Sequence, residues 1–342
     1  MPLPTTFLMC SERSGSNLIT HMFDAHPDCC GPEPTHLVRI LAENRCRYGD
    51  LEDDSAWREL CGDAADLLAT MVGSWRRTWS AAGLAAAPPQ RSLVSLVRTV
   101  LKAEAKAAGA THLFIKENHL YRYLPFVQRA FPGVKIVAMV RDPRDMALSW
   151  KRSSILRGDV VRAAQVWRED QEALIRVLGF LQPGRDIHLL RYEDLVADPA
   201  RELAAACRVA GLPFHAAMTA FHDSAAAAEA AGRTEDWKNV ARPVMADNFG
   251  KWRAGLDAAE VAYIEALCGP AMDAFGYDRA SADPRPVAEL EAELLPRERQ
   301  DKPGWATVPA EEKMIRARRA EVLARITARP WLAPAAWSVA HA

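Results

Sequence analysis

The stretch VKIVAMVRDPRDMALSW, residues 134–150, reads as a strand that runs straight into a helix. Val134 to Val140 is a nearly continuous apolar run, the kind that a parallel sheet buries on both faces. Asp142 is a good N-cap and Pro143 a good first helical residue, which leaves Arg141 where strand becomes helix. Ser149 follows Arg141 by eight positions, about two helical turns. Arg141 and Ser149 therefore qualify as anion ligands at the carboxyl end of a strand. The plainer alternative pairs Arg141 with Asp145 and leaves Ser149 as a helix-face hydroxyl.

Four other apolar runs have strand character: Thr6 to Met9, the short Asp28 to Gly31, Thr111 to Ile115 and Ile187 to Leu190. Helical patterns fall between and after them. Residues 120–131 carry Leu124, Val127 and Phe131, residues 160–181 carry Val166, Leu174, Leu178 and Leu181, and residues 200–210 carry Leu203 and Val209. This alternation predicts an α/β fold, a doubly wound parallel sheet flanked by helices. Residues 37–110 interrupt it with a helical insertion, in which Leu93, Leu96, Val97, Val100 and Leu101 follow helical spacing. The insertion is expected to lie over the sheet edge, within one domain spanning 1–280. Residues 281–342 are expected to form a C-terminal helical, Pro-rich extension, with a polar helix near 311–328 and then a Trp/Pro/Ala tail.

Composition narrows the classes. The chain has 342 residues, 49% hydrophobic and 25% charged, with a net charge of −1. That is ordinary globular composition with no global bias toward nucleic acid or membrane, so any anion site is a local cluster. No apolar run approaches the ~18 residues that span a bilayer. Seven scattered cysteines form no CxxC pair and no metal-ligand spacing, which predicts reduced thiols in a cytoplasmic protein.

A second anion-type segment lies near the start, in CSERSGSNLITHMFDAHP, residues 10–27. A strand leads in, and Leu18, Ile19, Met22 and Phe23 mark one face of the helix that leaves it. Helix N-termini offer unpaired N–H groups and a positive dipole end. Gly15 lets backbone approach a ligand, Ser14 and Ser16 can cap or donate, and Arg13 adds a fixed charge. The result is P-loop-like, yet it lacks the GxxxxGK[ST] of an NTPase. In open α/β sheets ligands bind beyond the carboxyl ends of the strands. There the sequence places Arg13, then Glu33 in GPEP, then Lys116, Glu117 and His119 in FIKENH, then Arg141, then Arg191 and Tyr192.

These segments resemble those of the sulfotransferases that use 3′-phosphoadenosine 5′-phosphosulfate (PAPS). SERSGSNLIT (11–20) looks like the family's 5′-phosphosulfate loop, and VRDPRDMALS (140–149) like its 3′-phosphate segment. RYEDLVADP (191–199) is similar to the segment near the adenine, and RPVMADNFGKW (242–252) to one in which a Lys before Trp closes over the nucleotide. The resemblance covers about residues 5–35 and 111–278, leaving out the insertion and the tail. It implies that Arg13, Ser14, Gly15, Ser16 and Asn17 hold the phosphosulfate, Arg141 and Ser149 the 3′-phosphate, that Tyr192 lies near adenine, and that Lys251 closes over the nucleotide. It implies a small-molecule, carbohydrate or lipid acceptor and no metal; a homo-oligomer is compatible with it.

Sulfuryl transfer also needs a proton acceptor. Glu33, framed by Pro32 and Pro34, resembles the carboxylate base of the family's carbohydrate and tyrosylprotein branch. It is the expected base, with Lys116 and His119 lining the site. His119 follows Lys116 at one residue more than in the Lys-then-His order of many cytosolic members. The alternatives are a P-loop nucleotide kinase, against which Arg13 in place of GK[ST] argues, and a non-catalytic nucleotide-binding scaffold.

Overall fold

Successive side chains on a strand point to opposite faces, so a strand buried on both sides must find two separate cores. That requirement organises this protein. The computed structural model describes residues 3–233, 237, 239–299, 306 and 308–332; the expected tail beyond Leu332 lies outside the described residues. Five parallel strands, β1 (Thr5–Cys10), β2 (Cys29–Cys30), β3 (His112–Lys116), β4 (Lys135–Val140) and β5 (Ile187–Arg191), form one sheet in the order β2-β3-β1-β4-β5. The helices among them are α1 (Ser16–Asp24), α2 (Leu37–Asn44), α3 (Asp54–Ala69), α4 (Ala81–Ala86), α5 (Leu93–Ala107), α6 (Leu120–Ala130), α7 (Pro143–Lys151) and α8 (Val160–Leu178). After β5 come α9 (Tyr192–Ala197), α10 (Pro199–Ala210), α11 (Ala225–Arg233), α12 (Trp252–Gly255), α13 (Ala258–Ala274), α14 (Val287–Leu294) and α15 (Ala310–Ala328). The doubly wound α/β expectation is borne out.

Phe7, Met9, Leu113, Ile115, Ile136, Ala138 and Val140 face one cluster, packed by α2, α3, α5, α6, α8 and α13. Leu8, Phe114, Val137, Met139 and Leu190 face the other, packed by α1, α9 and α10. There Phe23 stacks on Phe114 with ring centroids 3.9 Å apart. Residues 37–110 share the first cluster with the sheet through Leu37, Leu41, Trp57, Leu60, Leu96 and Val100. Helix α15 joins the same cluster through Val322 and Ile326. Its Arg325, and Arg329 just past its end, meet Asp63 of α3, whose side chain is buried.

Two histidines are buried as neutral rings. Burial pushes His21 of α1 and His112 of β3 from the ordinary 6.5 down to about 4. Both therefore take up a proton on unfolding at intermediate pH. Their contribution is intact above 6.5 and is lost as the pH falls toward 4. Each should remove roughly 1–2 kcal/mol of stability between pH 7 and pH 5. Thermal melts at the two pH values test this; a melting temperature that does not fall on acidification contradicts it.

Candidate functional site

The sheet changes direction between β1 and β4: from β1 the chain builds outward to one side through β2 and β3, then to the other through β4 and β5. Cys10 registers with Met139 across that switch, so the loops after β1 and β4 leave side by side. The ligand crevice of an open α/β sheet forms there. A cavity of about 470 Å³ opens at this point, with Arg13, Gly15, Ser16, Asn17, Lys116, Arg141, Ser149 and Tyr192 in its wall.

The loop after β1 is built around two left-handed residues, Arg13 at φ 61° and Gly15 at φ 93°. Gly15 is required twice over. A β-carbon there would lie 2.4 Å from Cδ2 of Tyr192, so the tyrosine ring occupies the space that any side chain would need. Helix α1 then starts with no side-chain cap, and its first N–H groups face the cavity end. Ser14 Oγ is fully buried with no hydrogen-bond partner.

The loop after β4 interlocks with it. Arg13 Nε donates to Ser149 Oγ at 3.1 Å, and Arg141 donates to the Arg13 carbonyl at 2.9 Å. The Arg141 guanidinium lies 4.3 Å over the Tyr192 ring. Arg141 Nε is buried and unpartnered. Asp142 caps α7, accepting from the Arg144 N–H at 2.9 Å, as the Asp-Pro pattern predicts. The pairing of Arg141 with Asp145 does not form. Asp145 is instead buried and accepts the backbone N–H groups of Gly250 and Trp252, and Arg144 pairs with Asp142 and Glu265. Asp145 thereby fastens the 242–252 loop, whose Asn248 donates to Tyr192 Oη at 2.6 Å.

The remaining expected residues divide. Lys116 lies in the wall and donates to Asn17 Oδ1. Lys251 does not reach the cavity; it is exposed and donates to Asn248 Oδ1 at 2.7 Å, one residue back from the wall. Glu33, the expected base, is not among the residues lining the cavity, although the adjacent Pro34 is. Its carboxylate accepts the Ser74 N–H at 2.6 Å, in a turn where Gly73 has no side chain to obstruct it. Burial raises the Glu33 carboxyl above its ordinary range, with the Ser74 N–H and Arg233 opposing. His119 is likewise not in the wall. It takes a left-handed φ of 55° and turns its Nδ1 to Asp170 Oδ1 of α8, 3.2 Å away.

Sequence reasoning missed His36, Arg316 and Arg319, all in the wall. The two arginines come from α15, whose polar pattern gave no hint of a site. Burial pushes the Cys10 thiol beside the loop up to about 12, away from the thiolate form. Among the described residues no group of His, Cys, Asp or Glu is arranged to hold a metal ion, and no helix is long and apolar enough to cross a membrane.

The donors suit a nucleotide with phosphates at both ends. One orphaned hydroxyl lies in the β1 loop, one orphaned guanidinium nitrogen in the β4 loop, and an aromatic face lies between. Comparisons point the same way. A model of the sulfotransferase family matches residues 4–216. Human carbohydrate sulfotransferase 3 is 29% identical over 184 residues, which cover 46% of this chain and 37% of that protein. Protein-tyrosine sulfotransferase 1 of Danio rerio is 24% identical over 287 residues, 81% of this chain and 73% of the other. The chain thus spans little more than a third of the first relative's length and about three quarters of the second's. Among solved structures, the sulfotransferase domain of a Synechococcus olefin synthase superposes with a TM-score of 0.54 at 19% identity, over 81% of this chain and 96% of that one.

Proposed function

This chain belongs to the sulfotransferase family, and from that premise we propose that it moves the sulfuryl group of PAPS to a hydroxyl or amine of an acceptor. The relatives are named for carbohydrate and protein-tyrosine acceptors, which favours a carbohydrate or peptide here over the lipid and small-molecule alternatives. Family membership argues against the nucleotide-kinase reading.

One observation carries the donor assignment: Arg13, Ser149, Arg141 and Tyr192 form a single interlocked unit at the switch point, with Arg141 Nε left without a partner. When bound, PAPS supplies an activated sulfuryl group on a phosphate leaving group. Arg13 and Lys116 stand in the wall where the charge of that phosphate would grow. Arg141 and Ser149 hold the 3′-phosphate in this reading, and the Tyr192 ring packs by the adenine. The loop of residues 242–252 closes the other side through Met245 and Asn248.

Nucleotide binding tests the proposal without knowledge of the acceptor. The desulfated nucleotide, 3′-phosphoadenosine 5′-phosphate, should raise the melting temperature well above the effect of ATP with Mg²⁺. Bound at 100 times its Kd, it should add about 2.7 kcal/mol. Equal stabilisation by AMP, which lacks the 3′-phosphate, would remove the basis for the donor assignment.

A further inference from the structure

Resting on that reading of the site, the geometry points to His36 as the catalytic residue that takes the acceptor's proton, with Glu117 as its positioning residue. His36 immediately precedes α2 and adopts a left-handed φ of 55°. A side chain in that region is uncommon, and it persists only when surroundings fix it. Here they do. The residue does not cap its own helix. Glu117, buried at the end of β3, does so in its place, accepting from Val38 N–H at 3.1 Å and Arg39 N–H at 3.4 Å. Arg319 of α15 holds the preceding carbonyl, that of Thr35. The ring is thereby released into the cavity wall.

Its two nitrogens have different surroundings. Nδ1 is buried, has no hydrogen-bond partner, and lies 3.7 Å from Glu117 Oε2. Nε2 makes no hydrogen bond among the described residues, and it is the nitrogen left to the cavity. A carboxylate beside Nδ1 favours the proton there and the lone pair on Nε2. The charged groups around the ring are Glu117 and Lys116 from β3 and its following loop, Arg39 from α2 and Arg319 from α15. Burial lowers the affinity of His36 for a proton, Glu117 raises it, and Arg39 and Lys116 lower it again. The net direction is downward, so the ring is neutral and able to accept at pH 7. Glu33, three residues earlier, is engaged by the Ser74 N–H, and His119 by Asp170.

In the transfer, His36 Nε2 receives the acceptor's O–H proton while the acceptor oxygen forms its bond to sulfur. The bond between sulfur and the donor's bridging phosphate oxygen breaks, and the phosphate leaves with that electron pair beside Arg13 and Lys116. The imidazolium then returns its proton to solvent. One sulfate ester, one desulfated nucleotide and one proton result.

The test uses the full chain with ³⁵S-labelled PAPS and water as the acceptor, so that released inorganic sulfate reports the transfer. His36→Asn and His36→Gly both fit the left-handed backbone and should still bind the desulfated nucleotide. Sulfate release at pH 7 should fall by about 10²-fold or more, and the acid limb of the wild-type pH profile, set by a group titrating below 6.5, should vanish. Glu117→Gln should shift that limb further acid, which a purely structural role in capping α2 would not do. ¹⁵N NMR of the histidine rings reads the same idea without turnover: His36 should show the Nδ1–H tautomer. The Nε2–H tautomer overturns the assignment, as does a Glu33→Gln protein that loses the acid limb while the His36 variants keep it. A wild-type protein that neither binds the desulfated nucleotide nor releases sulfate fails the sulfotransferase reading instead.

Discussion

Arg13→Ala is expected to lower kcat for sulfuryl transfer by about 10²–10³-fold at saturating donor, the usual cost of removing one donor aimed at charge that develops in the transition state. The size follows from its placement. The left-handed backbone at Arg13 turns the residue across the switch point, where Nε holds Ser149 at 3.1 Å and the carbonyl holds Arg141. The carbonyl bond survives the substitution, so the β4 loop should stay in place and the loss should appear in kcat more than in donor affinity. Arg13→Lys keeps a charge but not the planar fork that can serve Ser149 and a phosphate together, and should recover only part of the rate. Single-turnover measurement separates the cases. A variant with full kcat and a raised KM would make Arg13 a binding residue only.

The second large effect concerns discrimination. Arg141→Ala should reduce the preference for 3′-phosphoadenosine 5′-phosphate over AMP by about 10²-fold, the worth of one or two charge-assisted hydrogen bonds to phosphate. Arg141 is suited to this because no neighbouring carboxylate neutralises it: its terminal nitrogens donate to the Arg13 and Asn248 carbonyls. Arg144 takes the carboxylates of Asp142 and Glu265, and Asp145 is committed to the 242–252 loop. Ser149→Ala should cost several-fold less, since a neutral hydroxyl contributes less than a guanidinium. Calorimetric titration with both nucleotides decides the matter. If Arg141→Ala weakens the two ligands equally, the residue supports the loop and does not read the 3′-phosphate.

What the sequence made legible was local. The β4 run with its Asp-Pro helix start, and the Ser-Gly-Ser loop after β1, carry their structural instructions within a dozen residues. From them Arg13, Arg141 and Ser149 could be located, and Tyr192 from the RYEDLVADP segment that follows β5. Side-chain direction beyond the strand ends was not legible. Alternation predicts facing only while the backbone stays extended. His36 and His119 both leave that regime with φ 55°, and each re-aims its ring, one into the cavity and one toward Asp170. The direction of Glu33 depends on the turn at Gly73 and Ser74, some forty positions away, which no local pattern announces. Arg316 and Arg319 reach the wall only because α15 packs on α3, and a charged helix in isolation reads as a solvated one.

The bond from Arg319 to the Thr35 carbonyl joins residues 284 positions apart. Nearly the whole chain lies in the loop that this contact closes, and the entropy of closing it must be met before the contact contributes anything. The part of the cavity around Arg13, Arg141 and Tyr192 is assembled from residues up to Asn248, while the wall around His36 includes Arg316 and Arg319 of a helix that is synthesised long after the sheet. During synthesis the loops after β1 and β4 therefore emerge well before the helix whose Arg319 holds the backbone next to His36.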